Sequence, residues 1–186
     1  MEPKFRGWVG VVFNRLGAPF ATTMQRVSDL FPDPQQPNAM RSEHFRKVVS
    51  VYGNYDMIVV VESQNAQTGL LDLHRAVNTI IGTAQSGILY TRTYAAAETW
   101  SVGPTRYDGR QIPIGICTSA GRQEQTRDAL VKTKMFDIVD IVLGDFDILA
   151  LFKQSNVIPR DILKMLRAAP DITRTTTFIP GELFDE

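Results

Sequence analysis

The segment Tyr52-Gly53-Asn54-Tyr55-Asp56-Met57-Ile58-Val59 returns later in the chain as Leu143-Gly144-Asp145-Phe146-Asp147-Ile148-Leu149-Ala150. Gly, a polar residue, an aromatic residue and Asp keep their order, and an apolar run follows each time. Upstream, Gly10-Val-Val is answered by Gly115-Ile-Cys. Downstream, Thr91-Arg-Thr93-Tyr94 is answered by Thr175-Thr-Thr177-Phe178. Three anchors in one order imply an internal duplication, and internal periodicity constrains architecture before any local propensity does. The 186 residues then divide into a first module over residues 1–100, a connection over 101–111 and a second module over 112–186. The connection Gly103-Pro-Thr-Arg-Tyr-Asp-Gly109 is rich in turn formers and lacks apolar periodicity.

Each copy reads as strand, helix, strand, strand, helix, strand. In the first, strands are expected at Trp8–Phe13, Val48–Tyr52, Met57–Glu62 and Ile88–Ala95. Helices are expected at Thr22–Phe31, with Met24, Val27 and Phe31 at helical spacing, and at Thr68–Gly82, with a stripe of Leu70, Leu73, Val77 and Ile80. Gly53-Asn54 suits a hairpin turn. In the second copy the strands fall at Ile112–Thr118, Val139–Leu143, Ile148–Lys153 and Thr173–Ile179. Its helices fall at Gln123–Met135 and Pro159–Ala168, with Pro159 suited to a first turn and Pro170 to a stop. The loop Pro32-Asp-Pro-Gln-Gln-Pro37-Asn38 and a longer second helix account for the different spacing of the copies. The order βαββαβ is ferredoxin-like, so the fold class is α+β.

Met57-Ile-Val-Val-Val61 and Ile148-Leu-Ala-Leu-Phe152 are unbroken apolar runs. A strand with one wet face alternates apolar and polar residues, so the second face of each sheet is expected to be covered too. A sheet of the other copy, or of another chain, is the simplest cover, giving a dimeric α+β barrel arrangement. With 44% hydrophobic and 22% charged residues the composition is that of a globular domain. Twenty basic residues balance twenty acidic ones, which argues against specific DNA binding by this chain alone. A single cysteine, Cys117, permits no intrachain disulfide and reads as a small buried hydrophobe. Neither a signal peptide nor an apolar stretch of the roughly 18 residues needed to span a membrane is present, so a cytoplasmic location is expected.

Gly144-Asp145-Phe146-Asp147 between two strands, and Thr91-Arg92-Thr93-Tyr94 in a closing strand, resemble the signature segments of the effector-binding domain of Lrp/AsnC transcription regulators. The resemblance covers nearly the whole chain, twice over. The residue before the motif glycine, commonly Thr in that family, is Tyr52 or Leu143 here, and only seven residues precede Trp8, too few for a helix-turn-helix. The resemblance implies a stand-alone small-molecule sensor, with an amino acid as one candidate effector. It would have no catalytic residues or cofactor, and would act by self-association or by pairing with related regulators.

Gly53, Asn54, Asp56, Gly144, Asp145 and Asp147 are the implied ligand-binding residues. A glycine without a Cβ lets a carboxylate approach backbone N–H groups, and an aspartate can pair with an ammonium group. Under the alternative, each glycine makes its turn and each aspartate caps it. Thr91, Thr93, Thr175 and Thr177 read as ordinary strand residues. Trp8 and Trp100 read as core or interface groups, and Arg92, Arg106 and Arg110 as a solvated face. Of the two histidines, His44 lies in a charged segment and His74 beside an apolar helical stripe, where a haem ligand is conceivable. No nucleophile triad, paired metal-ligand spacing or phosphate loop is present. The competing function is a small barrel enzyme of the monooxygenase or isomerase type.

Overall fold

The computed structural model describes residues 5–14, 20–30, 45–52, 54–84, 87–102, 111–153, 162, 164, 166 and 169–180. In chain order the elements are β1 (Phe5–Phe13), α1 (Phe20–Ser28), β2 (Phe45–Tyr52), β3 (Met57–Ser63), α2 (Gly69–Ala84), β4 (Ile88–Glu98), β5 (Ile112–Thr118), α3 (Gln123–Lys132), β6 (Phe136–Leu143), β7 (Ile148–Phe152), β8 (Ile172–Thr177) and β9 (Ile179–Pro180). The class is α+β, built on antiparallel strands. The chain divides into two compact units, one spanning Pro3–Ala95 and the other running from Ala96 to Glu186. Residues 103–110 of the expected connection lie outside the described residues.

In the first unit the strands lie in the order β4-β1-β3-β2. Val9 faces Val59 across β1 and β3, and Trp8 faces Tyr94 across β1 and β4. Alternation sends Val9, Val11 and Phe13 of β1, with Met57, Val59 and Val61 of β3, to one face. There they meet Val27 of α1 and Leu73, Ala76 and Ile80 of α2. β3 is buried at every position, on both faces, as its unbroken apolar run requires.

Helix α2 turns Leu73, Val77 and Ile80 of its expected stripe toward the core, but leaves Leu70 outside. Its buried residues are Gly69, Asp72, Leu73, Ala76, Ile80 and Ala84, while Leu70 is 64% exposed. Gly69 and Asp72 set this rotation. A Cβ at Gly69 would stand 2.2 Å from the Phe5 ring, so the helix start is pressed against β1. Asp72 Oδ2 accepts hydrogen bonds from Ser63 Oγ at 2.7 Å and Thr68 Oγ1 at 3.0 Å. Polar anchoring at the first turn therefore overrides the larger apolar area of Leu70.

The second unit has the strand order β8-β5-β7-β6, the same path as the first. Ile112, Ile114 and Ile116 of β5 pack with Ile148, Ala150 and Phe152 of β7, and with Leu130 of α3. Ile162 and Leu166, four residues apart and helical, close this core. The rest of the helix expected at residues 159–168, apart from Lys164, lies outside the described residues. α3 stops earlier than its sequence suggests, because Lys134 takes a left-handed φ of 59°. The freed chain starts β6 at Phe136, whose ring packs edge-on against Phe152 at 5.5 Å. No helix among the described residues is long and apolar enough to cross a membrane.

Candidate functional site

The repeated Gly-polar-aromatic-Asp segments build the same device twice. In the first unit Asp56 Oδ2 accepts from the backbone N–H of Phe13 at 2.9 Å, and the Asp56 N–H donates to the Val11 carbonyl at 2.9 Å. In the second, Asp147 Oδ2 accepts from the Thr118 N–H at 2.7 Å, and the Asp147 N–H donates to the Ile116 carbonyl at 3.0 Å. Each aspartate thus fastens the turn after its hairpin to the end of the unit's first strand. Asp56 is buried and Asp147 half-buried, the latter also accepting from Thr118 Oγ1 and Gln123 Nε2. This geometry supports a turn-fastening role for both carboxylates. Asn54, Gly144 and Asp145 are exposed, Gly144 with a φ of 150°, and Gly53 lies outside the described residues.

The aromatic residue of each motif explains the upstream glycine. The Tyr55 ring lies over Gly10, where a Cβ would come within 2.6 Å of it, and the Phe146 ring lies over Gly115 at the same 2.6 Å. Contacts this short exclude any side chain while the ring stays in place. From these seats the units diverge. The Tyr55 hydroxyl meets the Tyr94 hydroxyl at 2.6 Å, whereas Phe146 packs edge-on against Phe178 with centroids 6.0 Å apart. The first unit therefore pairs two phenols and the second two bare rings.

More polar groups share the Tyr55 face of the first sheet. Alternation along β1 puts Arg6, Trp8 and Gly10 on it. Register across the sheet adds Glu62 opposite Arg6, Tyr94 opposite Trp8, and Arg92 opposite Gly10. Arg6 Nε donates to Glu62 Oε1 at 3.0 Å in an ion pair that is almost entirely buried. Burial first, and the Tyr55 hydroxyl second, push the Tyr94 phenol above its ordinary value, while the Arg92 charge opposes them. Tyr90 and Arg92 are exposed, so the polar face opens toward that end of β4. Sequence reading missed this set because Arg6 and Glu62 flank apolar strands as if they were end residues. The signal present was spacing: Arg6, Trp8 and Gly10, and Tyr90, Arg92 and Tyr94, sit two apart on strands.

His74 takes no part in this face. His74 is on the exposed side of α2, with Nε2 3.0 Å from the Asn78 amide nitrogen, and His44 lies outside the described residues. No group of three metal-ligating side chains occurs among the described residues. His74 on this outer surface does not fit an iron-ligating role. Cys117 also departs from its expected burial. It is half-buried, its Sγ donates to the Asp145 carbonyl at 3.3 Å, and it accepts from Arg174 Nη2 at 3.3 Å.

No family model matches the chain, and no curated protein matches it. Solved structures do. A candidate monooxygenase from Lactobacillus acidophilus superposes with a TM-score of 0.56 at 7% identity, over 94% of this chain and 91% of that one. A candidate chlorite dismutase gives 0.55 at 10% identity, over 95% and 93%. The chlorite dismutase of Candidatus Nitrospira defluvii in complex with imidazole gives 0.53 at 14% identity, over 97% and 93%. At these identities the likeness is one of fold. It nonetheless corrects the expectation of a non-enzymatic, transcription-regulating effector module, because these three structures, which share the fold over nearly the whole chain, are described as enzymes.

Proposed function

We propose that the chain is a small α+β enzyme of the monooxygenase type, acting on a small organic molecule at the Tyr55–Tyr94 face of its first unit. The observation that carries this reading is the buried polar set on that face, the Arg6–Glu62 pair and the Tyr55–Tyr94 hydroxyls, both beside Trp8. Burying an ion pair costs several kcal/mol of desolvation per ion, and an apolar replacement is often at least as stable. At the positions that the sequence repeat matches to Tyr55 and Tyr94, the second unit carries Phe146 and Phe178, which supports the same comparison for the hydroxyls. Polar groups kept where the same scaffold accepts apolar ones are candidates for chemistry rather than for stability. The shared strand path and the two glycine–aromatic–aspartate fastenings support reading the units as tandem copies of one βαββαβ module. In that reading the first copy acts and the second is scaffold.

The test is oxygen uptake by the purified chain over a panel of electron-rich hydroxyaromatic and enolic compounds, with products identified by mass spectrometry. Uptake that places one oxygen atom in product and the other in water, with the electrons drawn from the substrate itself (CH2 + O2 → C=O + H2O), and that falls at least tenfold in the Tyr55→Phe/Tyr94→Phe variant, is the expected result. Uptake unaffected by that variant, or none over the panel, would count against the reading. A visible spectrum of the purified protein shows whether a haem or flavin accompanies it.

A further inference from the structure

We propose that Tyr90, Arg92 and Tyr94, with Tyr55, form a binding site for a small planar organic anion, of which an aromatic carboxylate is the simplest member. This deepens the functional reading above and rests on its choice of sheet face. Three residues two apart on β4 share one face, so an aromatic, a cation and an aromatic stand in a row. Opposite the cation is Gly10, whose missing side chain admits the Tyr55 ring. The row is graded in access. Tyr94 is 2% exposed at its closed end, while Tyr90 is 46% exposed and Arg92 is exposed at its open end.

Each group suits one part of such a ligand. A guanidinium presents a planar fork to a carboxylate. The exposed Tyr90 ring offers a flat surface for an aromatic group beside it. At the inner end the Tyr55 and Tyr94 hydroxyls are bonded to each other, so a ligand oxygen that reaches the pair would take one O–H from it. The second unit lacks the arrangement. By strand register Thr176 takes the place of Arg92 opposite Gly115, and Arg174 stands two residues before it. The Arg174 guanidinium lies over the Phe146 ring at 6.0 Å and donates to the Asp145 carbonyl and to Cys117. One anion site per chain is therefore expected.

Calorimetry and ligand-observed NMR with benzoate, against neutral benzamide, test the site without requiring turnover. Benzoate is expected to bind the full chain at one site per chain, and benzamide at least tenfold more weakly. Arg92→Gln should weaken benzoate by roughly tenfold or more, the range of a charge-assisted hydrogen bond, and leave benzamide unchanged. Arg92→Lys should restore part of the loss, and Arg174→Gln should change nothing. Arg92 is exposed, so these variants are expected to fold, and a thermal melt checks it. Equal binding of benzoate and benzamide, no benzoate binding, or indifference to Arg92→Gln overturns the proposal. Should benzoate bind in the Arg92-dependent way while no compound supports oxygen uptake, the site stands and the monooxygenase reading fails.

Discussion

Asp56 and Asp147 each accept a backbone N–H at the end of a first strand, so removing either carboxylate strands a donor in a largely dry place. Asp56→Ala and Asp147→Ala should each cost about 1–3 kcal/mol, read as a lower midpoint in urea unfolding, with the larger loss at the more buried Asp56. Gly115→Ala should cost about 1–3 kcal/mol by overpacking against the Phe146 ring, and Gly115→Ala/Phe146→Leu should recover part of it. Tyr94 supplies a pH dependence. Its phenol is held above the ordinary 10.0 by burial first and the Tyr55 hydroxyl second, so it stays protonated in the folded chain where an unfolded tyrosine ionises. Its contribution to stability is then intact below about pH 10 and falls as pH rises past the unfolded value toward the folded one. Urea midpoints followed from pH 8 to 11.5 should drop more steeply in the parent than in the Tyr55→Phe/Tyr94→Phe variant.

At the level of elements, hydrophobic periodicity located the strands well, because β1, β3, β5 and β7 are runs whose apolar content leaves little choice. The facing of α2 was legible at Leu73, Val77 and Ile80, and not at Leu70. Leu70, Leu73, Val77 and Ile80 make a regular stripe, but the rotation is decided by Gly69 against Phe5 and by Asp72 holding Ser63 and Thr68. Both are tertiary contacts across residues that periodicity does not relate. Asp72→Ala should therefore destabilise the protein by about 1–3 kcal/mol, whereas Leu70→Ser on the exposed side should change it by less than about 0.5 kcal/mol. Thermal melts of both variants check the contrast. The candidate site was legible only in part. Repetition pointed to Tyr55, Asp56, Phe146 and Asp147, yet it draws attention to what the copies share. The Tyr55–Tyr94 pair and Arg92 are where they differ.

For the whole molecule, the balance of twenty basic and twenty acidic side chains and a pI near 6.7 minimise mutual repulsion close to neutral pH. Self-association by light scattering should be strongest near that pH, weaken toward pH 5 and pH 9, and leave binding to generic duplex DNA undetectable at physiological salt. A monomer across the whole range would remove self-association as a property of the chain. The glycine beneath each ring has a consequence for descent. Gly10 and Tyr55, like Gly115 and Phe146, are forty-five and thirty-one residues apart in sequence yet occupy one volume, so neither can grow unless the other shrinks. Among relatives of this chain the two positions should change together or not at all. An alanine at the Gly10 position should be accompanied by loss of the ring at the Tyr55 position, and with it the hydroxyl that reaches Tyr94.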